Sequence, residues 1–173
     1  MSDLAALART FLETCKARGI LVATAESCTG GGIIALMTDM PGSSTMVDRG
    51  FITYSNEAKQ DMVGVKAVTL EVHGAVSEET AREMAEGALA NSRAGITLAV
   101  TGIAGPDGGS PEKPVGLVWI GVARSGMSTE VRRFQFEDRG RDYIRRETAR
   151  AALQMGLKML EEEGERQASA GSP

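Results

Sequence analysis

Ser27 and Lys59 are the residues of this chain whose surroundings most suggest covalent chemistry. Ser27 lies in Leu21-Val22-Ala23-Thr24-Ala25-Glu26-Ser27-Cys28-Thr29-Gly30-Gly31-Gly32, an apolar run that breaks into small polar residues and glycines. That pattern predicts a strand ending on a helix. The first N–H groups of such a helix have no partners within it and carry the positive end of its dipole, so the junction is an anion or oxyanion site. A hydroxyl placed there, on Ser27 or Thr29, is a nucleophile, a ligand hydrogen-bond donor, or only the cap that starts the helix. A nucleophilic serine needs a base. Lys59 is expected in the first turn of a helix that follows a strand ending at Tyr54. The helix dipole opposes a cation at that end, and this misplacement together with partial burial lowers a lysine's pKa toward that of a general base. The alternative is a solvated lysine beside Glu57. The one histidine, His73, precedes Gly74 near the expected end of a short helix, where a capping or packing role is the simpler account.

A second stretch has the same grammar: Thr101-Gly102-Ile103-Ala104-Gly105-Pro106-Asp107-Gly108-Gly109-Ser110 follows the apolar run Ile96 to Val100. Ligands of open α/β sheets bind outside the carboxyl ends of strands, so the two glycine turns are expected to wall one pocket. Neither is a Walker A loop or a dinucleotide fingerprint. Asp107 is expected to be a turn residue, and Glu26 to orient a neighbour or accept a hydrogen bond. Arg139, Arg141, Arg145, Arg146 and Arg150 gather at the start of the last expected helix, an unfavourable end for cations unless an anion compensates. A phosphate would do so, as would an ion-pair network with Glu137, Asp138, Asp142 and Glu147.

The elements that must position these groups follow from periodicity and punctuation. Ser2 is expected to cap a first helix carrying Leu4, Leu7, Phe11, Leu12 and Cys15 and stopping at Gly19. Strands are expected over 20–25, 47–54 and 96–100, and a hairpin over 115–122 and 129–136. Helices are expected after the first glycine turn, from Ser55 or Asn56 to Val63, from Ser77 along Ala81, Met84, Ala85, Ala88 and Leu89, and from Arg141 to about Glu163. Strands alternating with helices before a terminal hairpin predict an α/β fold, a three-layer α/β/α sandwich on a mixed sheet, with residues 1–162 as one domain and 163–173 as a disordered tail. The broad apolar face of the last helix predicts burial on the sheet or against another subunit, hence a homo-oligomer. The net charge of −4 over 173 residues argues against a nucleic-acid binder. The N-terminus has no signal pattern and no apolar stretch is long enough to cross a bilayer, which predicts a cytoplasmic protein without a membrane partner. Two cysteines, Cys15 and Cys28, and one histidine offer no metal-ligand spacing, so neither metal nor cofactor is expected.

Four blocks, Ala25-Glu26-Ser27-Cys28-Thr29-Gly30-Gly31, Tyr54-Ser55-Asn56-Glu57-Ala58-Lys59, His73-Gly74-Ala75-Val76-Ser77 and Thr101 to Gly109, together resemble the C-terminal domain of the CinA (competence/damage-inducible) family. The resemblance runs from about Leu7 to Leu160. It implies hydrolysis of the carboxamide of nicotinamide mononucleotide to nicotinate mononucleotide and ammonia by a metal-free Ser/Lys dyad, in pyridine nucleotide recycling. It also implies Ser27 as nucleophile and Lys59 as base. Tyr54, Thr29, Gly30, Gly31, Thr101, Gly102, Ala104 and Gly105 are then expected to line the substrate and oxyanion pocket, with Arg145 or Arg146 at the substrate. The alternative, from another class, is a nucleotide- or phosphate-binding or assembly module without turnover.

Overall fold

A computed structural model describes residues 3–170. Five strands, β1 (Val22–Glu26), β2 (Val47–Ile52), β3 (Ile96–Gly102), β4 (Leu117–Arg124) and β5 (Glu130–Gln135), form one sheet in the order β2-β1-β3-β4-β5. The first three are parallel and the last two antiparallel, giving the expected mixed sheet. Helices α1 (Asp3–Ala17), α2 (Gly32–Thr38), α3 (Asn56–Val63), α4 (Ala67–His73), α5 (Glu78–Ala90) and α6 (Arg141–Ala170) complete an α/β/α sandwich.

Side chains alternate between the faces of a strand, and this sheet divides its core accordingly. Val22, Ile96, Leu98, Val100, Val118, Ile120 and Val122 face α1, α2 and α6. Ala25, Ala99 and Ala123 face α3 and α5, and their small size lets α5 lie close. Gly87 of α5 is the tightest point, because a Cβ there would run into the Val63 carbonyl at the end of α3. Gly87→Ala, normally a gain of about 1 kcal/mol inside a helix, is therefore expected to destabilise by roughly 2–4 kcal/mol through overpacking against backbone, read as a lower urea midpoint.

Local chemistry sets the element ends. Ser55 and Ser77 cap α3 and α5 by accepting from the Ala58 and Thr80 amides. Gly19 at φ +63° and Gly64 at φ +69° turn the chain after α1 and α3. The Ser2 cap lies outside the described residues. Of the boundaries that differ from expectation by a few residues, two matter most. Strand β2 stops at Ile52; the Thr53 amide still donates to the Glu26 carbonyl, while the carbonyls of Thr53 and Tyr54 accept from Lys59. Helix α6 continues past Glu163 to Ala170, held in its middle by Glu163 bridging Arg124 and Arg18 and by Lys158 with Glu162. The apolar face of α6 is covered within the chain by β3, β4 and α1. No described helix is long and apolar enough to cross a membrane.

Candidate active site

Alternation at the end of β1 sends two adjacent polar side chains to opposite sides of the sheet. Glu26 points toward α2, and Ser27, one residue on, faces α3. Glu26 is fully buried and accepts four hydrogen bonds: from the Thr29 hydroxyl at 2.6 Å and from the N–H groups of Gly31 at 3.1 Å, Ile33 at 3.0 Å and Ile34 at 2.9 Å. It thereby satisfies the start of α2, whose N-cap is Gly31 in the left-handed region and supplies no side-chain cap. Thr29, a candidate cap from sequence, instead donates its hydroxyl to this carboxylate.

Ser27, 8% exposed, presents Oγ to the Nζ of Lys59 at 3.1 Å. Lys59 is 1% exposed and its Nζ also donates to the carbonyls of Thr53 at 2.9 Å and Tyr54 at 3.5 Å. All three acceptors are neutral. Burial pushes the Lys59 pKa below the ordinary 10.5, and the Cys28 thiol nearby counters only in part. Cys28 itself, next to Ser27, is pushed up to about 12, chiefly by burial, and so stays a thiol rather than a competing nucleophile.

Of the turn's amides, Ser27 donates to Val100, Gly30 to Ser27 and Gly32 to Thr29, while Gly31 is held by Glu26. Among the described residues the Cys28 and Thr29 amides have no acceptor beyond the Cys28 thiol itself. The second glycine turn is built mainly by packing. Thr101, 1% exposed, donates its hydroxyl to the Ala75 carbonyl at 2.6 Å. A Cβ on Gly102 would meet Leu117 and Val118, and one on Gly105 would meet Val115, so both glycines let the 102–105 segment lie against the start of β4. Ala104 is buried there, and Asp107 is exposed.

Arg145 donates to the Thr29 carbonyl at 2.8 Å and its guanidinium lies 3.8 Å from where a Cβ on Gly30 would sit. Arg145 and Arg146 both line a cleft of about 330 Å³ between α1, α2 and α6, together with Leu4, Thr29, Leu36 and Asp142. Arg141, which sequence reasoning placed in the cluster but not at the site, donates to the Gly105 carbonyl at 2.8 Å and to the Tyr54 hydroxyl at 3.0 Å. Tyr54 is 59% exposed. His73 has its Nδ1 3.4 Å from Glu79, and its carbonyl accepts from Lys113. Among the described residues no group of three or more His, Cys, Asp or Glu side chains is placed to hold a metal ion.

A buried lysine beside a serine, at a turn with unengaged amides, is an arrangement for acyl transfer. Residues 4–160 match the sequence profile of the CinA C-terminal domain. The chain is 50% identical over 153 residues, 88% of its own length and 92% of the relative's, to a protein of Escherichia coli strain K12 named nicotinamide-nucleotide amidohydrolase PncC. It is 54% identical over 140 residues to a putative competence-damage inducible protein of Caldicellulosiruptor bescii, covering 80% of this chain but 33% of that one. Among solved structures, the competence/damage inducible protein CihA from Agrobacterium tumefaciens superposes with a TM-score of 0.90 at 49% identity, covering 93% of this chain and 97% of the other.

Proposed function

This chain belongs to the CinA C-terminal domain family, and from that premise we propose that it hydrolyses the carboxamide of nicotinamide mononucleotide to nicotinate mononucleotide and ammonia. The relative of that activity covers nearly the whole chain. The single observation that carries the chemistry is the 3.1 Å contact between Ser27 Oγ and a lysine nitrogen surrounded only by neutral acceptors.

Neutral Lys59 takes the Ser27 proton as Oγ bonds to the carboxamide carbon. The developing oxyanion is met by the Cys28 and Thr29 amides, the two that Glu26 and the turn leave unengaged. The C–N bond then breaks as Lys59 passes the proton to the departing nitrogen, releasing ammonia and leaving a nicotinoyl ester on Ser27. Water adds to that ester, its proton goes to Lys59, and the proton returns to Ser27 as the ester bond breaks. The balance is one amide and one water to one acid and one ammonia. Tyr54 offers the face of its ring to the cationic pyridinium.

The test is incubation with nicotinamide mononucleotide, with ammonia and the nicotinate product measured together and a chelator added in parallel. Equal amounts of both products are expected, unchanged by chelator. Binding without ammonia would leave a nucleotide-binding module instead. A second expectation concerns pH. The base form of Lys59 is the neutral one, so kcat/KM should rise with pH through the lowered lysine pKa and level off above it, with the inflection below 10.5. An inflection at or above the ordinary lysine value would exclude Lys59 as the base.

A further inference from the structure

The geometry points to Arg141 as the residue that binds the substrate's phosphate, an assignment that rests on the mononucleotide reading above. The start of α6 carries Arg141 and Arg145 one helical turn apart, and both reach back over the carboxyl edge of the sheet. Carboxylates were available to them in Glu137, Asp138, Asp142 and Glu147. Among the described residues, however, the ion pair formed within this cluster is Arg150 with Glu147, and Arg139 lies over the Tyr143 ring. Arg141 and Arg145 bond only neutral oxygens: the Gly105 carbonyl, the Tyr54 hydroxyl and the Thr29 carbonyl. Neutral acceptors orient a guanidinium without cancelling its charge, and the helix end adds to the positive potential.

The two arginines differ in what they can still do. Arg145 is half-buried against the Ser27 turn, whereas Arg141 is exposed at the outer rim with further N–H groups turned to solvent. Tyr54 supplies the measure of the site. Its carbonyl accepts from Lys59 Nζ at 3.5 Å, while its phenol reaches Arg141 at 3.0 Å. One residue thus touches the lysine through its backbone carbonyl and the guanidinium through its phenol, and the pyridinium ring and ribose of a mononucleotide would lie along it with the carboxamide at Ser27. A phosphate arriving there gains charge-assisted hydrogen bonds from a group already fixed in place by Gly105.

The test uses the full chain carrying Ser27→Ala, so that binding is read without turnover. Titration calorimetry compares nicotinamide mononucleotide with the same compound lacking its phosphate, before and after adding Arg141→Ala. The expected result is a loss of about 10- to 100-fold in affinity for the phosphorylated ligand, the range for a hydrogen bond to a charged group, with less than about threefold change for the other. Arg141→Lys, which keeps a cation, should recover part of the loss. Equal weakening toward both ligands, unchanged affinity, or no binding of the mononucleotide to the Ser27→Ala protein would each overturn the assignment. So would Tyr54→Phe reproducing the same phosphate-selective loss, since Arg141 would then act only through the phenol. Phosphate-selective binding in a protein whose wild type releases no ammonia would sustain Arg141 and remove the hydrolase reading, so the two fail separately.

Discussion

Lys59→Met is expected to lower ammonia release from nicotinamide mononucleotide by about 10³- to 10⁴-fold, the worth of a general base that also activates the nucleophile. Ser27→Ala should lose as much, and the double variant should lose no more than either alone, because residues that act as one unit are not additive. Methionine keeps the length and buries easily, so the fold survives for comparison. The same variant carries a stability signature. Between the lowered Lys59 pKa and 10.5 the native state holds Lys59 neutral while the unfolded chain protonates it. The unfolded state then binds more protons, so the Lys59 contribution to stability rises with pH through that window and is flat above it. Lys59→Met removes the titration. The wild-type urea midpoint should therefore climb relative to the variant as pH increases, and a constant difference would show that the lysine is not desolvated in solution. Turnover above a tenth of wild type in either single variant would remove the dyad.

Glu26→Ala is expected to be the most destabilising change near the site, by about 3–5 kcal/mol. It strands the amides of Gly31, Ile33 and Ile34 and the Thr29 hydroxyl, all now held by one buried carboxylate, and leaves a cavity behind. Glu26→Gln keeps the volume but turns an amino group toward donors, and a loss of roughly 1–3 kcal/mol is expected. Activity should fall further than stability accounts for, with kcat reduced more than KM. Without the carboxylate the Gly31 amide is freed and the 27–31 turn can relax away from Lys59. Urea denaturation and steady-state kinetics on the Gln variant separate the two effects. An unchanged kcat would mean that the turn holds its shape without Glu26.

The serine and lysine were legible because each broke a local rule: a hydroxyl where a strand runs into glycines, and a cation in the first turn of a helix. The mixed sheet and its helices followed from strand and helix periodicities with clear glycine and serine punctuation. Glu26 was harder. Its role as a hydrogen-bond acceptor was legible but its partners were not, and the signal for them was the absence of any capping residue at Gly31, which required some other group to close the start of α2. Arg141 was legible only as one of five clustered arginines that an anion such as a phosphate would compensate. Its partners, Gly105 and Tyr54, stand 36 and 87 positions away, and only the folded chain chooses them over nearby carboxylates. The glycines after Thr101 looked like room for a ligand, but the neighbours they admit are Leu117, Val118 and Val115, which sequence spacing alone does not single out.

Helix α6 meets α1 along the sheet and meets the Ser27 turn through Arg145, a contact spanning 116 positions. A ribosome delivers α1, Ser27 and Lys59 long before it delivers α6. Until then Phe11 and Leu12 of α1 lack the Leu153 and Leu160 side of their core, and the Thr29 carbonyl awaits its guanidinium. Synthesis thus separates Ser27 and Lys59 in time from the arginine that holds the turn beside them.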